Sequence, residues 1–297
     1  MNPLWAVYTI VGALGQTARN AMQRELTGSL GAVGATHVRF LFGFPFALLF
    51  LGATVFFTHL PLPHPDAHFW FWIVSGALTQ IAGTALMLVT MNARSFVVTI
   101  AYLKIEPVFV AIMGFLFLHD PLTLSMAAAI AIATAGVVLI SVKPGAAGNA
   151  LGPALTGLGS GALFAISAIG YRGAIEALHQ ENYLMGATFA LSVGLVTQSI
   201  VLSLYLAARS PRVLVAIARL WRPSLFAGFT GALASEFWFL AFALAPAANV
   251  RTLGLIDVLF AQIASRAIFR QHTTLREAAG ILLLLGGAAL LVLAPKL

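Results

Sequence analysis

The stretch Tyr102–Thr123, YLKIEPVFVAIMGFLFLHDPLT, decides how the chain is read. It is apolar enough for a bilayer interior, yet it carries Lys104, Glu106 and Pro107 within four residues. A charge at the centre of a membrane helix costs at least about 2.5–3.5 kcal/mol. Something must offset that cost, so the cluster marks a partner or a function. Lys104 and Glu106 stand about 200° apart around a helix and cannot pair with each other. A weaker echo, GLIDVLFAQIASRAIFRQHTT, occupies residues 254–274 and places Asp257 where the first stretch has Glu106.

The composition around these stretches agrees with a membrane interior. Hydrophobic residues make up 60% of the 297 positions and charged residues 8%; soluble domains carry about 25% charged residues. So few charges could not solvate the surface of a soluble chain this long. The class is therefore all-α integral membrane. The formal net charge of +7 comes from arginines in short connections between apolar runs. That placement suits anionic lipid headgroups and excludes a nucleic-acid face. The absence of cysteine excludes disulfides and thiolate metal sites. Met1-Asn2-Pro3 lacks a basic leader, so the first apolar run is expected to remain as an anchor.

A crossing helix needs about 20 apolar residues, and ten segments qualify. They are Leu4–Met22, Val33–Phe57, Phe69–Met91, Phe96–Leu118, Leu124–Val142, Leu151–Tyr171, Tyr183–Ala207, Ser224–Ala245, Val250–Phe269 and Leu275–Leu293. The connection RSPRVLVAIARLWRP, residues 209–223, differs from the rest. Arg212 and Arg219 share one helical face, and Val213, Val215, Ile217 and Leu220 supply apolar contact. It predicts a short amphipathic helix on the membrane surface. Lys and Arg concentrate on the side opposite the termini, which places that side in the cytoplasm and the termini outside.

Tripeptides recur in order across the chain. Gly12-Ala13-Leu14 returns at 161, Gly34-Ala35-Thr36 at 186, and Gly76-Ala77-Leu78 at 231. Glu106 has Asp257 as counterpart, Thr123-Leu124 has Thr274-Leu275, and Gly136 has Gly287, all 151 residues apart. Five helices per half is odd, so the second half must enter the membrane inverted. The expected architecture is two inverted five-helix repeats, residues 1–145 and 146–297. Inverted repeats place a site at their interface near the midplane and suit alternating access.

This pattern resembles the drug/metabolite transporter superfamily, EamA type. The likeness rests on the five-plus-five duplication, on Glu106-Pro107-Val108-Phe109, on Asp120 followed by Leu122-Thr123, and on the closing helix with Gly136. It implies ten helices, membrane transport, no cofactor and no enzyme activity. Three features depart from the family pattern. Asp257-Val258 replaces the usual Glu-Pro, Leu14-Gly15-Gln16 stands where a Trp is common, and the family's cytoplasmic termini oppose the charge count.

Candidate substrate-binding or coupling residues are Glu106, Asp257, Lys104, Tyr102, Gln16, Asn20, Gln80, Glu236 and Trp238. Gln16 and Asn20 share a helical face. The carboxylates are singled out because buried charge is expensive, and they could carry protons. Pro107 frees the carbonyl of Leu103 and is a candidate gating kink. Arg39 is a plausible partner for Glu106, either locking helices together or serving transport. Arg19 and Arg251 could snorkel to an interface. The histidines are scattered, with no metal-ligand spacing. Walker, dinucleotide-binding and Gly-x-Ser-x-Gly patterns are absent. Gly157 and Gly161 read as a close-packing GxxxG.

The reading is a monomeric secondary transporter of the cell inner membrane. It is expected to export small metabolites such as amino acids by alternating access, with the bilayer and protons as partners. Both signs of charge near the midplane suit a zwitterion. The alternatives are a multidrug exporter of lipophilic cations or, from another class, an intramembrane enzyme or receptor.

Overall fold

Apolar runs become helices in a bilayer because every backbone N–H and C=O must find its partner within the segment itself. The structure is a computed structural model that describes residues 3–93, 99, 102–103, 106–141, 151–260 and 275–293. Among these residues every regular element is helical. The helices are α1 (Leu4–Leu41), α2 (Phe44–Thr58), α3 (Ala67–Ala93), α4 (Glu106–Phe117), α5 (Leu124–Ser141) and α6 (Leu151–Ala177). They continue as α7 (Tyr183–Arg209), α8 (Pro211–Arg219), α9 (Trp221–Leu244), α10 (Ala247–Leu253) and α11 (Leu275–Leu293). Among the described residues five stretches are long and apolar enough to cross a membrane: Leu4–Thr58, Ala67–Ala93, Leu155–Ala177, Tyr183–Arg209 and Trp221–Leu244. Large side chains such as Leu49, Phe56, Phe57, Leu204 and Phe226 stand exposed on their outer faces. That is the surface a lipid phase covers.

The first two expected segments differ from the sequence reading. No loop separates Met22 from Val33; the helix runs on and breaks at Gly31, whose φ of 68° and ψ of 172° are non-helical. A residue with a side chain rarely adopts that positive φ, so glycine is required there. The chain folds back at this point. The Gln23 amide donates to the Ala35 carbonyl at 3.2 Å, whereas 12 residues of straight helix would separate them by about 18 Å. A second break falls at Phe42–Gly43, just before Pro45, whose ring cannot sit over the carbonyl of Leu41 in a continuous helix. The expected segment Val33–Phe57 is therefore two helical pieces.

The ninth expected segment also bends. α10 passes into a 3₁₀ turn, Gly254–Ile256, and Asp257 begins the next helical piece. Residues 261–274, which the sequence reading places in this span, lie outside the described residues, as do residues 96–98 of the fourth expected segment. The basic connection forms α8 as expected. Ile217 is buried, Arg212 and Arg219 face outward, and Val215 is exposed rather than in apolar contact.

Three helix pairs make the most extensive contacts: α3 with α6, α1 with α9, and α5 with α11. Small residues allow the approach. A Cβ added to Gly170 on α6 would lie 2.8 Å from the Gly76 backbone on α3. Across the same seam, Ser160 donates to the Gly83 carbonyl at 2.7 Å, and the Thr90 and Thr156 hydroxyls meet at 2.9 Å. Gly157 packs directly on the Tyr102 side chain, so its role is helix packing. These seams surround a central polar cavity.

Candidate functional site

α1, α3, α4, α6, α10 and the piece beginning at Asp257 enclose the cavity. Gln16, Arg19, Asn20, Arg39, Gln80, Glu106, Arg251 and Asp257 supply its polar lining, and Met87, Leu103 and Phe164 its apolar lining. Its volume is about 30 Å³, room for roughly two waters. In this conformation a metabolite cannot fit without a helix movement.

Five of the sequence candidates converge here: Gln16, Asn20, Gln80, Glu106 and Asp257. Glu106 does not pair with Arg39. Its partner is Arg251 on α10, with Nε 2.9 Å from Oε1. The Arg251 guanidinium lies 4.5 Å above the Trp238 ring and 5.2 Å from that of Phe242. Cation–π contact of this kind holds a guanidinium in place when water is excluded. Trp238 thus supports the ion pair from beneath rather than lining the cavity. Arg251 is buried in the protein and does not snorkel to a headgroup.

Arg39 instead reaches two hydroxyls, Thr84 Oγ1 on α3 and Ser235 Oγ on α9, each at 3.4 Å. Arg19 is buried too, and among the described residues donates only to the Asn20 carbonyl oxygen, from Nε at 3.3 Å and Nη2 at 3.0 Å. Both stems lie against Gly231. A Cβ there would stand 3.3 Å from Arg19 Cδ and 3.4 Å from Arg39 Cγ. The two guanidinium arms therefore start from neighbouring points.

Gln80 is held by a buried network. Its Oε1 accepts from Tyr171 Oη and from Gln198 Nε2, both at 2.9 Å. Gln198 also donates to the Ala77 carbonyl at 3.2 Å. The remaining candidates sit elsewhere. Glu236 faces α7, where Thr188 Oγ1 is 2.5 Å from its Oε1. Tyr102 packs on Gly157. Pro107 is buried in the first turn of α4. Lys104 lies outside the described residues. Among the described residues no group of histidine and acidic side chains could hold a metal ion.

A second charged cluster closes one end of the bundle. Arg172 on α6 donates from Nη1 to the carbonyls of Phe242 and Ala245, at 2.6 and 2.5 Å. Its Nη2 meets Glu176 at 2.6 Å and Asp120 at 3.4 Å. Burial pushes the Asp120 carboxyl above the ordinary aspartate range, and the Arg172 charge and hydrogen bond partly oppose that shift. The sequence reading names Asp120 only within the family-like motif and does not single out Arg172. It missed the arginines of the cavity as a set. The available signal was Arg39, six residues inside the expected segment Val33–Phe57; Arg19 lies only three residues from the end of Leu4–Met22 and reads as an interface residue.

Residues 3–142 match the model of the EamA-like transporter family. No curated protein matches the chain. Several solved structures are similar; one of them, a crystal structure of a protein, shares 14% identity with a TM-score of 0.73, over 97% of this chain and 96% of that one. At that identity the likeness carries the fold, and it carries it through both halves of the chain.

Proposed function

We propose that this chain, which belongs to the EamA-like transporter family through its residues 3–142, is a secondary transporter working by alternating access. It is a multi-pass membrane protein. In this reading its two halves, 1–145 and 146–297, are inverted five-helix repeats in the cell inner membrane. It exports small metabolites that carry a carboxylate, such as amino acids, with protons as the coupling ion.

The observation that carries the reading is the polar cavity itself, buried among apolar helices and lined by three arginines and two carboxylates. So much buried charge is expensive in a membrane, and its default meaning is a transport path. The packing pattern supports the inverted repeat. Exchanging the halves turns the pair α1–α9 into the pair α6–α3 and returns α5–α11 onto itself. The main contacts follow that exchange.

The Glu106–Arg251 pair gives coupling a physical form. It joins α4 of the first half to α10 of the second. Protonating Glu106 would cancel its charge and loosen that joint, allowing the halves to rock. Counterflow in proteoliposomes tests the reading. Transport is expected to depend on pH, and Glu106→Gln and Asp257→Asn are expected to change that dependence. Unchanged transport and pH profile in both variants would remove these residues from the mechanism.

A further inference from the structure

We infer that Arg19 and Arg39 form an anion-anchoring subsite, so that the cavity favours a substrate of net negative charge bearing a carboxylate or phosphate. The inference rests on the cavity being the transport site and narrows its substrate class.

Among the described residues four arginines lie buried or nearly buried in the interior, and they divide into two kinds. Arg251 pairs with Glu106, and Arg172 pairs with Asp120 and Glu176. Arg19 and Arg39 form no ion pair among the described residues. Among the described residues Arg19 donates only to a neutral amide, and Arg39 only to two hydroxyls at the long limit of a hydrogen bond. Arg39 Nε has no hydrogen-bond partner among the described residues. Both side chains line the cavity and are about 96–97% shielded from solvent. A guanidinium stays protonated under any physiological condition, so neither residue escapes the cost of burial by losing its charge. Placed side by side against Gly231, the two also repel each other.

A bound anion offsets both costs. Carboxylate and phosphate oxygens match the planar donor fork of arginine, often through two parallel hydrogen bonds. The lining charge points the same way, with Arg19, Arg39 and Arg251 against Glu106 and Asp257. Among the described lining residues one positive charge remains in excess. A neutral zwitterion would leave that excess in place, and a lipophilic cation would increase it. Gln16 and Asn20, on the same face of α1, offer amides to the uncharged part of a substrate.

The experiment uses the full chain in proteoliposomes, with labelled succinate, pyruvate, inorganic phosphate, alanine and tetraphenylphosphonium as probes. At least one anion is expected to undergo counterflow, and to be carried at least tenfold faster than alanine. The succinate and pyruvate arms separate carboxylate from phosphate recognition. Arg19→Gln and Arg39→Gln are each expected to weaken anion uptake at least tenfold, Arg39→Lys less so, and Arg212→Gln on the exposed face of α8 not at all. Dimethyl succinate, which lacks both charges, is expected not to compete with the wild-type protein, a readout that needs no variant to fold. Movement of alanine or the phosphonium without any anion would overturn the subsite while leaving transport intact. Movement of no probe would overturn both readings, whereas competition by the ester as strong as by succinate would overturn the subsite alone.

Discussion

Arg251 and Glu106 meet across the two halves of the chain, Nε to Oε1 at 2.9 Å, with the guanidinium resting on Trp238. Removing one partner of a buried pair leaves an uncompensated charge and costs about 3–5 kcal/mol. Glu106→Gln should therefore destabilise the protein by about that amount in reversible unfolding from mixed micelles. Adding Arg251→Gln to it should recover more than half of the loss, because the orphaned cation goes too. Strictly additive losses in the double variant would show that the two residues are not coupled.

The helices were legible in the sequence because a membrane leaves apolar runs little choice. The breaks within them were not. Residues 23–30 read as a loop because they are polar, yet the Gln23 amide and the Thr27 hydroxyl donate to backbone carbonyls and the segment stays helical. The turn falls instead on Gly31, where φ rather than polarity decides. Glu106 is legible from the charge cluster and Asp257 from the repeat, and the structure brings both to one cavity. Their arginine companions were harder to read. Sequence gives the depth of Arg19, Arg39 and Arg251 along a span but not the direction each side chain takes around it. The sequence pairs Glu106 with Arg39, whereas the ion pair in the structure is made by Arg251 of the ninth segment.

Asp120 makes a prediction with a definite sign. Burial holds its carboxyl above the ordinary aspartate range despite Arg172. The folded state therefore binds this proton more tightly than the unfolded chain does. Its ionised form works against folding above the raised value. That penalty fades as pH falls through the raised value toward about 3.9, the ordinary aspartate pKa. Asp120→Asn should flatten this part of the stability–pH curve without lowering the unfolding temperature at neutral pH. A marked fall in that temperature would show that the Arg172 contact outweighs the burial cost.

The Tyr171 hydroxyl tests the support beneath Gln80. Tyr171→Phe removes the 2.9 Å hydrogen bond to Gln80 and the one from Gln198, but keeps the ring against Phe239. The loss should be about 1–3 kcal/mol, the cost of leaving buried polar partners unmade. Gln80 lines the cavity, so the same variant should also raise the apparent KM for transport. Loss of stability with an unchanged KM would confine the network to a packing role.

Two glycines separate site from scaffold. At Gly231 an added Cβ meets only the flexible stems of Arg19 and Arg39, at 3.3 and 3.4 Å. At Gly170 it meets the backbone of Gly76 at 2.8 Å and the Trp72 carbonyl at 2.9 Å. Side-chain stems can swing aside, whereas two packed helix backbones must separate. Gly170→Ala should therefore cost about 1–3 kcal/mol of stability through overpacking. Gly231→Ala should leave stability within about 0.5–1 kcal/mol of the parent and act on function instead. It would displace the two guanidiniums and weaken anion uptake in counterflow. If Gly231→Ala unfolded the protein as readily as Gly170→Ala, the two arginine stems would be rigid parts of the scaffold. They could not then adjust around a ligand.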